Sequence, residues 1–237
     1  MDFTFNEYYQ ILEELKKNFV FESFENFSGE SNIYLRHDLD IMLENVPIMA
    51  KVEANLGVHS VFFFQPNNPF YNPLSSDCLS ILKKVHDLGH SLGLHIDPSL
   101  YESIDQFVDL INTMQRYYSL FLPLDNVVSF HKPPVFILEK DIQIPGIINT
   151  YGNSFFKKIR YFSDSNRRSF KEQLFQSIKE DNKTSIQLVV HPYWWDHNPL
   201  NLWELYNRFQ KIKETSFLGV FRTEFKIYRI FFDEKFK

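Results

Sequence analysis

The sequence predicts an α/β domain in which parallel strands form a barrel. Four apolar runs with β propensity end in titratable side chains, at residues 36–40, 95–97, 131 and 191. Each run is followed by a turn and then by a helix-like segment, which is the order of elements in a (β/α) barrel. The length of 237 residues fits one such domain, because barrels of this size commonly form a single unit.

The first half of the chain supplies half of the predicted barrel. A helix is expected over 5–18, where apolar side chains recur at the spacing of one helix face. Asp77 is expected to cap the start of a later helix, and Gly57 and Gly89 are expected to end two of them. The predicted strands are 33–40, 59–65 and 90–97, and the predicted helices are 46–56, 77–88 and 104–121.

The second half continues the alternation with weaker signals. The predicted strands are 127–131, 160–163 and 184–190, and the predicted helices are 170–180 and 201–214. The segment 134–153 has poor periodicity and is expected to form loop and short elements. The residues 220–232 alternate enough to predict a further strand. We therefore expect a single domain over 1–237, with the barrel over about 33–217 and a tail over 218–237.

Composition excludes several classes of function. The net charge is −5 and the isoelectric point is near 5.9, so no general basic field is present to bind nucleic acid. The N-terminus has neither a basic region nor an apolar region of the kind that export signals carry, and no apolar run is long enough for a membrane span. The lone Cys78 excludes an intramolecular disulfide. These features predict a cytoplasmic protein.

The end of the first barrel strand has the most informative pattern. An apolar run from Ile33 ends in Arg36, His37, Asp38 and Asp40, and burying such groups costs free energy unless they bind something. In an extended chain, carboxylates two residues apart point to the same face. Asp38 and Asp40 could therefore contact one metal ion or one substrate atom. The alternative is a salt bridge between Arg36 and Asp38 in a loop.

Five short motifs share a common resemblance. They are Arg-His-Asp-Leu-Asp at 36–40, Leu-Gly-Val-His-Ser-Val-Phe-Phe-Phe at 56–64, Gly-His-Ser-Leu-Gly-Leu-His at 89–95, Phe-His-Lys-Pro-Pro at 130–134 and Leu-Val-Val-His-Pro at 188–192. In this order they resemble the polysaccharide deacetylase family, the NodB-homology carbohydrate esterases, in its Arg-His-Asp-x-Asp variant. The resemblance covers roughly residues 33–195.

The resemblance implies a fold, a reaction and several residue roles. The fold would be a distorted, seven-stranded (β/α) barrel, and the reaction would be hydrolysis of an N-acyl group on a sugar by a divalent metal. By resemblance, Asp38 is the general base, Asp40 and His95 bind the metal, and His191 is the acid for the leaving amine. The family's His-x-x-x-His motif has its second histidine where this chain has Ser99, which departs from the pattern.

A different residue is expected to complete the metal site. Neutral imidazole and ionised carboxylate are good ligands for a divalent ion, whereas a serine hydroxyl is poor. His131 ends the strand after the one that carries His95, so it can reach the same rim. We expect Asp40, His95 and His131 to hold one divalent metal, with Zn²⁺ as the expected ion. Asp97 is the rival third ligand.

Other residues are candidates for contact with a carbohydrate substrate. Asp164, Arg167 and Arg168 form a cluster that suits a phosphate or carboxylate, although a solvated surface patch would look the same. Lys132 is a further substrate-binding candidate, and either it or Arg36 could orient Asp38. The run 193–195 contains Trp194 and could stack on sugar faces, with packing in the core as the alternative.

Three functional hypotheses follow. The first is a metal-dependent deacylase acting on an N-acylated sugar, such as a nucleotide- or lipid-linked intermediate of surface-polysaccharide biosynthesis. The second is a deformylase or another amide-bond enzyme on the same metal site. The third is a non-catalytic carbohydrate-binding protein that has kept the barrel, for which the serine at position 99 is the main argument. The sugar, the acyl group and the oligomeric state are left open.

Overall fold

The computed structural model describes residues 1–28, 30–100 and 103–224. The chain divides into two units, which cover residues 1–197 and 198–237. The first unit contains every strand among the described residues and every residue for which a functional role was predicted. The prediction of a single domain over 1–237 stays a prediction.

The sheet of the first unit is parallel throughout its main path. Its strands are β1 Val20–Phe21, β2 Asn32–Leu39, β3 Val61–Phe64, β4 Ser91–Ile96, β5 Val127–Phe130, β6 Ile148–Asn149, β7 Arg160–Ser163 and β8 Ile186–Val190. Seven of them follow the order β6-β5-β4-β3-β2-β8-β7, and the short β1 pairs with β2 beside this path. The sheet path begins at β6 and ends at β7. The predicted distorted seven-stranded (β/α) barrel is confirmed.

Helices alternate with the strands. In the first unit they are α1 Phe5–Leu15, α2 Val46–Asn55, α3 Ser76–Asp87, α4 Ile104–Tyr118, α5 Val135–Glu139, α6 Asn153–Phe156 and α7 Lys171–Glu180. Gly57 and Gly89 follow α2 and α3 with φ of 64° and 91°, the left-handed conformation that favours glycine. The cap of α3 differs from the prediction, because Ser75 rather than Asp77 accepts the hydrogen bond from the backbone N–H of Cys78. Asp77 lies in the first turn of the helix.

Apolar side chains fill both faces of the sheet. On the outer face, β3, β4 and β5 pack against α2, α3 and α4, while β2 and β8 pack against α1 and α7. On the inner face, Tyr34, Phe63 and Val127 belong to a smaller cluster. Gly93 lies beside this cluster, where a Cβ atom would be 2.5 Å from the Phe63 ring. The interior is therefore closed by side chains below the polar strand ends.

A buried polar network joins the outer face of β2 to α1 and α2. Glu53 accepts hydrogen bonds from Tyr8 at 2.5 Å, from Ser60 at 2.5 Å and from the Nε2 atom of His37 at 2.6 Å. Burial raises the pKa of Glu53, but the charge and hydrogen bond of His37, the charge of His90 and the hydrogen bond of Ser60 together outweigh burial and lower the pKa below its usual value. His90 also lies near it, with 3.6 Å between its Nδ1 atom and the carboxylate. Glu53 is therefore ionised within the helix layer, away from the strand ends.

We expect Glu53→Ala to lower the free energy of unfolding by about 3–5 kcal/mol, because the variant leaves three buried donors without their shared acceptor. Urea denaturation followed by circular dichroism measures the change. Glu13→Ala, which removes an exposed carboxylate from α1, serves as the control and should change stability by less than about 0.5 kcal/mol. Equal stabilities of the two variants would contradict this account of Glu53.

The described part of the second unit contains one long helix, α8 Leu202–Glu224. The helix predicted over 201–214 is confirmed and extends ten residues further than expected. The predicted strand from residue 220 is wrong for 220–224, which are helical; the remainder of that predicted strand lies outside the described residues. Across the described ranges, no helix combines the length and the apolar character that crossing a membrane requires.

Candidate metal centre and active site

The carboxyl ends of four strands bring the predicted functional residues together. Asp40 follows β2, His95 lies near the end of β4, and His131 and His191 follow β5 and β8. These strands are parallel, so their carboxyl ends lie on the same edge of the sheet. Residues separated by up to 151 positions in the sequence thus meet at one rim.

Asp40, His95 and His131 form a compact cluster. One carboxylate oxygen of Asp40 lies 3.2 Å from the Nε2 atom of His95 and 3.0 Å from the Nδ1 atom of His131. One ligand atom from each residue lies within 4.8 Å of the other two. Two imidazoles and a carboxylate form a donor set that suits Zn²⁺ or a similar divalent ion. The residues present therefore fit a metal ion.

The electrostatic environment keeps Asp40 ionised. Burial raises the pKa of its carboxyl group, but the hydrogen bonds to His131 and His95 and the charges of His95 and His191 together outweigh burial and hold the pKa well below its usual range. Gln65 adds a further donor, with 3.0 Å between its Nε2 atom and the same carboxylate oxygen. An ionised carboxylate is the form that binds a cation.

The two rivals of His131 lie outside this cluster. Ser99 is exposed, and its backbone N–H donates to the Asp97 carboxylate at 2.9 Å. Asp97 lines the same cavity as the cluster, but it is not part of the three-residue group whose ligand atoms converge. The geometry favours His131 as the third ligand.

We expect His131→Ala to weaken binding of Zn²⁺ by at least about 100-fold, because it removes one of three converging ligands and loss of a group that only orients a ligand already costs roughly 10–100-fold. Ser99→Ala should leave the affinity unchanged, since that side chain is exposed and outside the cluster. Titration calorimetry with Zn²⁺ on both purified variants measures the difference. If Ser99→Ala loses affinity for Zn²⁺ and His131→Ala does not, the third ligand is Ser99 and not His131.

Asp38 lies beside the cluster in a buried polar environment. Its Oδ2 atom accepts a hydrogen bond from Arg36 at 3.1 Å, and both side chains are buried. The same Arg36 donates to Tyr151 at 2.8 Å and to Gln187 at 3.0 Å. The salt bridge between Arg36 and Asp38 that was predicted as the alternative is therefore present, but it lies inside the barrel and not in a loop. Arg36, rather than the exposed Lys132, orients Asp38.

Ser129 connects the candidate base to a candidate ligand. Its hydroxyl lies 3.2 Å from the Nδ1 atom of His95 and 3.5 Å from the Oδ1 atom of Asp38. If the Nδ1 atom of His95 carries the proton and donates to Ser129, the Nε2 atom is left with its lone pair facing Asp40. That tautomer is the one that can bind a metal ion.

His191 is held by Asp164. The Nδ1 atom of His191 lies 2.5 Å from the Asp164 carboxylate, which also accepts from the backbone N–H of His191 and, at 2.9 Å, from the indole of Trp195. Burial lowers the pKa of His191, but the charge and hydrogen bond of Asp164 outweigh burial and raise the pKa to about 9. The Nε2 atom of His191 lies 3.6 Å from the Asp40 carboxylate. A protonated imidazole therefore lies beside the cluster.

Most of the predicted substrate-binding residues lie away from the cluster. Asp164 is fully buried, and its oxygens are used by His191 and Trp195, which differs from the expected contact with substrate. Arg168 is exposed, and the guanidinium of Arg167 lies 5.2 Å from the Phe3 ring centroid. These two arginines do not line the cavity described next.

A cavity of about 720 Å³ opens onto the cluster. It is lined by Lys132, Tyr193 and Phe70 among the described residues, together with Asp40, His95 and His131. Lys132 is in the left-handed conformation with φ of 46°, which is uncommon for a residue with a Cβ atom. Trp194 instead packs against the apolar cluster of α1, β2 and β8, so Tyr193 is the aromatic residue of this segment that reaches the cavity.

Several residues of the site were missed in the sequence, among them Ser129, Gln65 and Asn68. Gln65 and Asn68 both bind Asp40, through its side chain at 3.0 Å and its backbone carbonyl at 2.8 Å respectively. Gln65 directly follows β3, so the strand-end pattern that identified the histidines could have identified it too. Asn68 carried no comparable signal, because it lies in a loop whose path is not determined by periodicity.

Comparisons with known proteins gave matches among solved structures alone. Neither a protein-family model nor a curated protein sequence matches the chain. One matched structure is a peptidoglycan deacetylase from Bdellovibrio bacteriovorus, with 17% identity and a TM-score of 0.44 over 74% of this chain and 49% of that one. The chain thus spans about half the length of that protein.

Two further matches carry the name CE4. A CE4 esterase from Streptococcus mutans is 15% identical, with a TM-score of 0.49 over 77% of this chain and 78% of that one. A CE4 family pseudoenzyme from Bacillus anthracis is 13% identical, with a TM-score of 0.42 over 68% of this chain and 54% of that one. This chain has the fold of a distorted seven-stranded (β/α) barrel. Its five motifs resemble the polysaccharide deacetylase family, and the CE4 proteins belong to that family.

Proposed function

We propose that the protein is a metal-dependent hydrolase that removes an N-acyl group, with acetyl as the expected group, from a sugar or sugar-linked intermediate of surface-polysaccharide biosynthesis. One observation carries this proposal. The cluster of Asp40, His95 and His131 lies at a cavity, and two groups suited to acid–base chemistry lie beside the cluster: Asp38 is 3.9 Å from His95 and His191 is 3.6 Å from Asp40. Binding alone would not require these two groups beside the metal ligands.

Asp38 has the properties of a general base. A divalent ion held by Asp40, His95 and His131 would polarise the acyl carbonyl and lower the pKa of water. Asp38 accepts the proton from the attacking water, since its Oδ2 atom lies 3.9 Å from the Nε2 atom of His95 and thus beside the ligands. Arg36 limits the rotation of this carboxylate through their hydrogen bond at 3.1 Å.

His191 supplies the matching acid. Its Nδ1 atom is used by Asp164, which leaves the Nε2 atom on the side of Asp40 and the cluster. The proton at Nε2 passes to the amide nitrogen as the bond to the acyl carbon breaks, so the sugar leaves as a free amine. Lys132, at the cavity wall, is available to bind hydroxyl or anionic groups of the substrate.

The test measures release of the acyl group from defined substrates. The protein, loaded with Zn²⁺, is incubated with N-acetylated and N-formylated sugars and nucleotide sugars, and the released acetate, formate and free amine are quantified. We expect release of acetate that chelation abolishes and added Zn²⁺ restores. Faster release of formate would support the deformylase alternative. Stoichiometric metal with no turnover of any substrate would support a non-catalytic carbohydrate-binding protein.

We expect Asp164→Asn to move the loss of activity at alkaline pH to a lower pH. His191 acts in its protonated form, so activity falls as pH rises through its pKa, which Asp164 raises to about 9. Without that carboxylate charge the pKa falls, and the proton is lost earlier. The dependence of kcat on pH for wild type and variant measures the shift. If kcat falls over the same alkaline pH range in wild type and Asp164→Asn, His191 is not the acid.

A further inference from the structure

The second unit differs in composition from the rest of the chain. Residues 198–237 contain eight Lys or Arg and five Asp or Glu, a net charge of +3, which leaves −8 for residues 1–197 of a chain whose net charge is −5. One residue in four of 198–237 is aromatic, compared with 17% of the whole chain. A segment that is both basic and rich in aromatic residues has the composition of protein surfaces that contact anionic bilayers.

Four exposed apolar residues lie on one side of α8, and we call them the apolar stripe. They are between 49% and 69% exposed: Leu202, Trp203, Tyr206 and Phe217. Because a helix turns by about 100° per residue, Leu202, Tyr206 and Phe217 fall within about 60° of one another around the axis. Trp203 lies about 40° beyond this arc. Leu205, on an adjoining side of the helix, is only 2% exposed, so the sides of α8 differ in their accessibility.

The stripe has aromatic residues near both ends of the helix. The rings of Trp203 and Tyr206 are stacked, with 5.4 Å between their centroids and 21° between their planes. Each has a broad apolar face and one polar group, the character that places tryptophan and tyrosine between the hydrocarbon and the headgroups of a bilayer. Phe217 lies about 16 Å further along the axis than Tyr206. A flat surface can contact both ends of the stripe at once, whereas a small ligand cannot.

The charged residues of α8 are placed as a helix on a bilayer surface requires. Lys213 is exposed on the side of the stripe, where its methylene groups can lie among apolar groups while its ammonium reaches lipid phosphates. Glu204 and Lys211 are exposed on the opposite side, which would face water. Such a helix lies along the surface, in agreement with the finding that no helix of the described ranges can cross a membrane.

We propose that α8 binds the surface of a bilayer that contains anionic lipids, with the apolar stripe among the lipid headgroups. The net charge of the second unit complements such a surface, and because salt screens charges beyond about 10 Å, the residues nearest the bilayer determine the attraction. Pairing of α8 with the same helix of a second copy would instead bring together two units of net positive charge, which disfavours that occupant. The proposal concerns a surface outside the metal centre and does not depend on the proposed function.

Co-sedimentation with lipid vesicles tests the proposal. The full chain is mixed with vesicles of phosphatidylcholine alone or of phosphatidylcholine with an equal amount of phosphatidylglycerol, and the bound fraction is measured over a range of lipid concentrations. We expect binding to the vesicles with phosphatidylglycerol to be at least about tenfold tighter than to phosphatidylcholine alone. High salt should weaken it, because the attraction between charges is screened.

Substitutions assign the binding to α8. Trp203→Gln combined with Phe217→Gln should weaken it at least about tenfold, because two apolar side chains leave the stripe. Leu120→Gln is the matched control: Leu120 follows α4, is 77% exposed and lies outside the second unit, so this variant should bind like wild type. Lys211→Gln combined with Lys213→Gln keeps the stripe and should weaken binding to the anionic vesicles. It decides the test if circular dichroism shows that the first double variant does not fold.

Three results would overturn the proposal. The first is no binding of the wild type to vesicles with phosphatidylglycerol, and the second is unchanged binding by the folded variant that lacks Trp203 and Phe217. The third is a dimer of the wild type, detected by sedimentation velocity without lipid, that this variant no longer forms, which would assign the stripe to a second copy of the chain. All three leave the proposed function standing, because none of the substituted residues belongs to the metal centre.

Discussion

Asp38→Asn is expected to lower kcat by about 10²–10⁴ while metal content stays near one ion per chain. The substitution removes the group that accepts the proton from water, but it keeps a similar shape beside Arg36 and leaves Asp40, His95 and His131 unchanged. Released acyl group and bound metal, measured on the same preparation, check the two halves of this expectation.

The control for this variant is Asp97→Asn. Asp97 is a second carboxylate at the same cavity, but it lies outside the ligand cluster and has no role in the proposed proton transfers. Its substitution should change kcat by much less than that of Asp38. Equal turnover by wild type and Asp38→Asn would remove Asp38 from the mechanism, and loss of metal from Asp38→Asn would make it a ligand instead of a base.

The cluster could be predicted because all of its members obey one rule. Asp40, His95 and His131 lie at the ends of apolar runs, and parallel strands bring such ends to one edge of the sheet. Burial of the strands explains why the signal is clear: charged side chains stand out against sequences that are otherwise apolar. The order of the strands was not needed for this step, since any order of parallel strands would place these ends on the same side.

The role of Asp164 could not be predicted, because it depends on which strands are neighbours. Its sequence neighbours Arg167 and Arg168 suggested a patch facing solvent. In the structure β7 pairs with β8, with Ser163 opposite Val189, and this register brings Asp164 to the backbone and ring of His191. The position directly after β7 places Asp164 at the same rim as the histidines, but it does not identify His191 as its partner.

The role of His37 was hidden for a different reason. Successive side chains of a strand point to opposite faces, so Arg36 and Asp38 face the barrel interior while His37 faces the helices. There it pairs with Glu53 of α2, a contact between a strand and a helix that no local pattern specifies. The motif at 36–40 therefore has two roles. Arg36, Asp38 and Asp40 contribute to the site, whereas His37 contributes to the packing of the helix layer.

His95→Ala is expected to abolish binding of metal at micromolar concentration, and with it hydrolysis. Loss of a group that merely orients a ligand costs roughly 10–100-fold in metal affinity, so loss of the ligand itself should cost at least about 100-fold. His86→Ala removes an exposed histidine of α3 and is the matched control. Atomic absorption of the dialysed proteins and the rise in melting temperature on addition of Zn²⁺ measure binding without reference to activity.

The effect on folding separates this expectation from simple damage to the protein. Because the ring of His95 is buried and hydrogen bonded to Ser129, its removal could also destabilise the barrel. If the metal stabilises wild type through the cluster, the melting temperatures of wild type and variant should differ more with Zn²⁺ than after chelation. The melting temperatures of wild type and His95→Ala could instead differ equally with Zn²⁺ and after chelation, and His95→Ala could still bind one metal ion per chain. That result would place the metal away from Asp40, His95 and His131.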